Sequence, residues 1–177
     1  MEIIKAPLEG VFSIRFTPID DFRGSFSRSY CYEELRQTGI IKRIAQINHV
    51  VSHKKGTIRG LHYQTSPRAE VKMMRCFRGA LYNVVIDLRP ESPTFCQWFG
   101  IELSAANQMM LIVPEGFANG YQTLADKTEA FYFSTEFYAP EYERGIRWDD
   151  PLIKIKWPVS DPIVSLKDNS FPDYPIK

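Results

Sequence analysis

Only three histidines, His49, His53 and His62, occur among the 177 residues. The stretch "GTIRGLHYQ", Gly56 to Gln64, sets His62 among β-branched and aromatic residues. Imidazole titrates near neutral pH, which suits it to take a proton from a weakly acidic carbon. In a regular strand Arg59 and His62 point to opposite faces, because side chains alternate. Both reach one pocket only if the backbone bends or bulges, and Gly60 permits that. On spacing alone the plainer role, a hydrogen-bonded histidine at a strand end, is favoured. Lys72, in "VKMMRCFRG", is either a solvated edge residue or, in a barrel, an inward cation able to stabilise a developing oxyanion. Tyr132 and Tyr138, in "TEAFYFSTEFY", are six apart and share a strand face, so either suits proton donation or covering an aromatic ligand. Most strand tyrosines only pack. HxH, HExxH, GxSxG and P-loop spacings are absent, which leaves proton transfer as the chemistry to consider.

These residues need a scaffold. Gly and Pro punctuate the chain every ten or so residues, and between them lie short runs rich in Val, Ile, Phe, Tyr and Thr. That rhythm predicts an all-β sandwich or barrel. "GALYNVVIDLR" after a tight turn and "LIVPEGFANGYQ" around Pro-Glu-Gly predict a jelly roll, a double-stranded β-helix closing on a central cavity, with a few short helices. Small-molecule sites lie in the mouths of such barrels. "YCYEELRQTG" is the best helix candidate, with Ser29 as its cap and Gly39 as its stop. The Pro-rich tail from Pro151 is expected to wrap the surface in loops and short turns. Residues 1–177 read as one domain. Asn119 stands in the second barrel motif, where a metal site would want a histidine, so neither a metal nor another cofactor is expected.

Composition narrows the partners. The 22 Lys and Arg against 21 Asp and Glu leave a formal charge of +1, with no global field for nucleic acid or an anionic membrane. Cys31, Cys76 and Cys96 are an odd count without CxxC spacing, and Cys76 and Cys96 lie in apolar runs. Reduced core cysteines in a cytoplasmic protein are expected. "MEIIKAPLEGVF" does not read as a signal peptide, and the sequence has no apolar run long enough for a membrane helix.

Eight words in order carry a resemblance: "DFRGSF", "QIN", "IRGLHYQ", "VKMMRCFRG", "VVIDLRPESPTF", "VPEGFANGYQTL", "FYFSTEFYAPEYERGIRWDDP" and "IKWP…SLKD". Together they resemble the dTDP-4-dehydrorhamnose 3,5-epimerases and related sugar-nucleotide epimerases, over almost the whole chain. The resemblance implies a cupin-type fold, no metal, and homodimers that exchange N-terminal strands. It also implies a nucleoside diphosphate 4-keto-6-deoxyhexose as substrate, whose ketone acidifies the hydrogens at C3 and C5. His62 would then be the base and Asp168 would orient it. Lys72 would neutralise the enolate oxygen, and Tyr132 would be the acid on the other face. Arg23 and Arg59 match diphosphate clamps. Phe26 and Tyr138 match positions flanking the nucleoside, and Gln46, Asn48, Glu143 and Lys167 match further nucleotide and sugar contacts.

Four departures from the family pattern stand out. Arg28 replaces a glutamate that accepts from thymine N3–H; arginine only donates, which raises CDP as an alternative nucleotide. Asn83 and Asn119 replace an aspartate and a histidine, which predicts inversion of one centre, C3 or C5, instead of both. Val50 stands where serine is usual, in a loop one residue longer than the family's; His49 and His53 are taken as non-catalytic. Two rival readings are a sugar-nucleotide-binding protein without turnover and a 3,4-ketoisomerase, which the "RGIRWDDP" tail disfavours.

Overall fold

The computed structural model describes residues 1–40 and 42–175. The chain opens with β1 (Glu2–Lys5), β2 (Phe12–Arg15) and a two-stranded hairpin, β3 (Ile19–Asp21) with β4 (Gly24–Phe26). A short helix, α1 (Tyr32–Leu35), follows. Then come β5 (Gln46–Ser52), β6 (Thr57–Gln64), β7 (Lys72–Arg78), β8 (Ala80–Asp87) and β9 (Trp98–Ser104). β10 (Met109–Val113), β11 (Phe117–Thr123) and β12 (Thr128–Ser134) complete the main strands. β13 (Glu143–Gly145), β14 (Ile163–Val164) and α2 (Leu166–Asn169) end the fold. The expected all-β jelly roll with a few short helices is what forms.

Two sheets face each other. The first has the order β1-β2-β10-β7-β12-β5, and the second β13-β6-β11-β8-β9, with β14 running parallel beside β6. Apolar side chains from both inner faces meet between them, among them Met74, Cys76 and Leu111 against Leu81, Val85 and Tyr121. The outer faces are also covered. Leu35 of α1 packs with Ile14, Met73 and Met110 behind the first sheet. Ile146 and Ile153, with Ile155 and Trp157, pack on Leu61, Val84 and Ile86 behind the second, so the Pro-rich tail does wrap the surface. β11 is therefore buried at every position, although strands with one wet face bury only alternate residues.

The helix differs from its sequence reading. It spans only Tyr32–Leu35 before a single 3₁₀ turn, Arg36–Thr38, which Gly39 ends with φ +75° as expected. Cys31, not Ser29, occupies the N-cap, and its side chain makes no capping bond. Ser29 is engaged elsewhere: its hydroxyl accepts a 2.6 Å hydrogen bond from Arg75 Nη1, a buried guanidinium with no carboxylate partner among the described residues. A buried cation's need for an acceptor outweighs a cap bond at a short helix end. Cys76 is buried as expected, while Cys96 is only partly covered; both are free thiols.

One local irregularity matters for everything that follows. β6 pairs with β11 as His62↔Asn119 and Tyr121↔Arg59, so three steps on β6 oppose two on β11. That extra residue is a bulge at Gly60, which adopts φ +115°. A Cβ there would lie 2.7 Å from Gly120 Cα and 2.8 Å from Asn119 O, both backbone atoms that cannot swing aside. Gly60→Ala is expected to cost about 2–4 kcal/mol and to lower the melting temperature by roughly 5–15 °C. Thermal denaturation checks this, and an unchanged midpoint would mean that the close approach of the two strands is not required.

Candidate active site

The bulge resolves the problem of alternation. With one extra residue in β6, Arg59 and His62 both line a cavity of about 560 Å³ that opens between the sheets. Its walls also include Lys72, Asn119, Tyr132, Lys167 and Asp168. A second lobe of about 360 Å³ shares His62, Lys72 and Tyr132 and continues past Gln46, Asn48, Tyr138 and Glu143. His62 and Asn119 come from the second sheet. The first sheet supplies two inward-facing rungs, Lys72–Ser134–Gln46 and Met74–Tyr132–Asn48, set by strand register. Base and acid candidates thus stand on opposite walls.

His62 is fixed by its neighbours. Its Nε2 lies 2.8 Å from Asp168 Oδ1, and the ring meets Phe171 edge-on at 5.7 Å. Asp168 is buried, and its other oxygen accepts the Gly60 N–H at 3.1 Å. Burial pushes the Asp168 carboxyl up, but the hydrogen bonds from His62 and Gly60 outweigh it and hold the group below its ordinary range. A carboxylate there keeps a proton on Nε2, which leaves the other ring nitrogen as the basic atom. The chain brings Asp168 over 100 residues along the sequence by laying β14 beside β6 and turning at once into α2, where the capping Ser165 Oγ accepts the Asp168 N–H at 3.0 Å.

The acid and the cations follow the same logic. Burial raises the Tyr132 phenol, Glu70 and Glu143 raise it further, and Arg59 opposes them; the net effect keeps it protonated at neutral pH. Glu143 accepts from Tyr138 Oη at 2.8 Å and from Lys167 Nζ at 2.7 Å. Burial alone would raise Glu143, but these two bonds hold it low. Gln46 Oε1 accepts the Tyr138 N–H at 2.7 Å, tying these two wall residues together. Asn119 Nδ2 donates to Asn83 Oδ1 at 2.6 Å and to Val84 O at 3.1 Å, so the two asparagines are linked as expected.

Three residues expected in the site stand apart from it. Arg23, Phe26 and Arg28 lie on the β3–β4 hairpin or just beyond it, outside the cavity walls. Arg23 pairs with Asp21, and Arg28 with Glu34 at 2.9 Å. The hairpin presents its apolar residues to solvent, with Phe22 98% and Phe26 69% exposed. Glu70 is the residue that sequence reasoning missed. It lines the second lobe, 2.9 Å from Lys72 Nζ. Its only signal was a position two residues before Lys72, which places both on one face of an extended chain.

Comparison with known proteins identifies the family and the fold. A family model described as dTDP-4-dehydrorhamnose 3,5-epimerase matches residues 5–175. A dTDP-4-dehydrorhamnose 3,5-epimerase of Salmonella typhimurium is 42% identical over 176 residues, covering 97% of this chain and 94% of that protein. The crystal structure of the Bacillus anthracis dTDP-4-dehydrorhamnose 3,5-epimerase, with TDP and PPi bound, superposes with a TM-score of 0.94 at 39% identity, covering 98% and 99% of the two chains. A Legionella pneumophila dTDP-6-deoxy-D-glucose-3,5-epimerase in complex with dTDP-4-keto-L-rhamnose gives 0.90 at 32% identity, covering 99% of each. With a histidine and a tyrosine facing each other across a cavity of the same fold, the chain belongs to the dTDP-4-dehydrorhamnose 3,5-epimerase family.

Proposed function

We propose that His62, Asp168, Lys72 and Tyr132 carry out the family's epimerisation of a nucleoside diphosphate 4-keto-6-deoxyhexose. The observation that carries this reading is that His62 and Tyr132 lie on opposite sheets and line one cavity, with Lys72 on the strand beside Tyr132. The free imidazole nitrogen removes the proton from a carbon beside the ketone. The electron pair moves into an enolate, whose oxygen Lys72 stabilises. Tyr132 then protonates the same carbon from the opposite face, which inverts it. His62 returns its proton to solvent and the tyrosinate takes one up, so both groups are reset. Arg59 and Lys167 supply cations for the diphosphate, and Gln46, Asn48, Tyr138 and Glu143 face the nucleoside and sugar. Arg23 and Phe26, displayed on an exposed hairpin, reach a cavity when two chains exchange N-terminal segments in a homodimer.

Asn119 favours inversion of a single centre. Both of its amide hydrogens are engaged within the wall, which leaves only a non-titrating carbonyl oxygen. Such a group accepts a bond from a ring hydroxyl but neither takes nor delivers a proton. The nucleotide is dTDP on the strength of the relatives, and CDP is the alternative that Arg28 raises. Incubation in D2O with dTDP- and CDP-4-keto-6-deoxyglucose, followed by NMR, tests all of this. The expected result is deuterium at one carbon of the dTDP sugar. Deuterium at both carbons would refute the argument from Asn119, faster reaction of the CDP sugar would reassign the nucleotide, and no incorporation with either would leave a binding protein without turnover.

A further inference from the structure

Lys72 does not stand free in the cavity. Its Nζ lies 2.9 Å from Glu70 Oε1, and both side chains are largely buried, at 18% and 11% exposure. The second Glu70 oxygen accepts a short hydrogen bond from Ser134 Oγ. Ser134 is the register partner of Lys72 on the neighbouring strand, and its hydroxyl also accepts the Glu136 N–H at 3.3 Å. The carboxylate is therefore gripped from two sides, and its orientation follows from the pairing of β7 with β12.

We propose that Glu70 is a positioning residue for the epimerisation, fixing the Lys72 ammonium on the cavity wall so that its remaining N–H groups meet the enolate oxygen. This rests on the epimerase reading and on the role given there to Lys72. A lysine has four rotatable side-chain bonds, and confining it during the reaction would otherwise cost rotamer entropy. One N–H bonded to Glu70 leaves two donors of fixed direction for a developing negative charge, which is the preorganisation that oxyanion stabilisation requires. The arrangement tempers Lys72: part of its positive charge is balanced in the ground state, so it acts as an aimed donor more than as a bare cation.

A double-mutant cycle over Glu70 and Lys72 separates this from a structural role. Glu70→Ala is expected to lower kcat roughly 10- to 100-fold while KM stays within about threefold, the pattern of an interaction made in the transition state. Glu70→Gln, which keeps an acceptor oxygen for Lys72 and offers an amide N–H to the Ser134 hydroxyl, should recover to within about fivefold of the wild type. In a Lys72→Ala background, Glu70→Ala should cost nothing further. If the alanine variant does not fold, Ser134→Ala carries the same test: a loss of about three- to tenfold with Lys72 present and none without it. The proposal is overturned if Glu70→Ala turns over like the wild type, or raises KM at constant kcat. It is equally overturned if Glu70→Ala or Ser134→Ala costs as much without Lys72 as with it, or if Lys72→Ala is fully active. A wild-type enzyme without turnover would instead remove the epimerase reading itself.

Discussion

His62→Ala is expected to slow exchange of solvent hydrogen into the substrate by about 10²–10⁴-fold, while affinity for dTDP stays within about threefold. The separation of the two effects comes from the cavity's layout. His62 is the proposed base that the bulged strand delivers, whereas Gln46, Asn48 and Tyr138, which line the second lobe with it, come from other segments of the chain. The variant leaves Asp168 Oδ1 without its imidazole partner, a cost of about 1–3 kcal/mol. Asp168 retains the Gly60 N–H, so the local fold persists. His62→Asn provides a side-chain donor for Asp168 and should match the alanine variant in activity at higher stability. Exchange followed by NMR, with dTDP affinity by calorimetry, gives both quantities. Exchange at the wild-type rate would exclude His62 as the base.

Tyr132→Phe is expected to uncouple exchange from inversion. The substitution removes one oxygen from a half-buried ring on the wall opposite His62, so packing against Met74 and Asn48 across the strands is kept. The base can still form the enolate, and the same imidazole can return a deuteron to the face it came from. Deuterium should therefore enter with the starting configuration retained, while formation of the epimer falls about 10²–10³-fold. NMR coupling constants distinguish the two configurations at the labelled carbon. Epimer formation at the wild-type rate would show that another group delivers the second proton.

Much of the fold was written in local patterns. Punctuated runs of β-branched and aromatic residues gave the strands, and Gly39 gave the helix stop. The site was legible in pieces: His62, Lys72 and Tyr132 stood out by type, and Gly60 marked where a strand would have to break its alternation. What could not be read depended on register between distant strands. Asp168 meets His62 only because β14 adds alongside β6, and no spacing announces that. Glu70 looked like an ordinary charge before a strand until Ser134, from another hairpin, closed on it. Ser29 had the right type for a cap, but Arg75, far along the chain, claimed its hydroxyl. Arg23, Phe26 and Arg28 lie on or just beyond a hairpin outside the described cavity walls, a placement that their residue types do not announce.

The proposed base and acid belong to different sheets, and this ties stereochemistry to mechanics. Facing sheets stand about 10 Å apart, a distance set by the side chains packed between them. Leu81, Leu111 and Val85, packed between the sheets and outside the cavity walls, therefore work as spacers for a reaction they never touch. Thinning that layer would bring the two walls together or let them tilt, and would change how often an enolate is caught from the far side rather than the near one. Had both groups shared a strand, the handedness of the product would depend on a few neighbouring torsions. Here it is a gauge of the thickness of the sandwich.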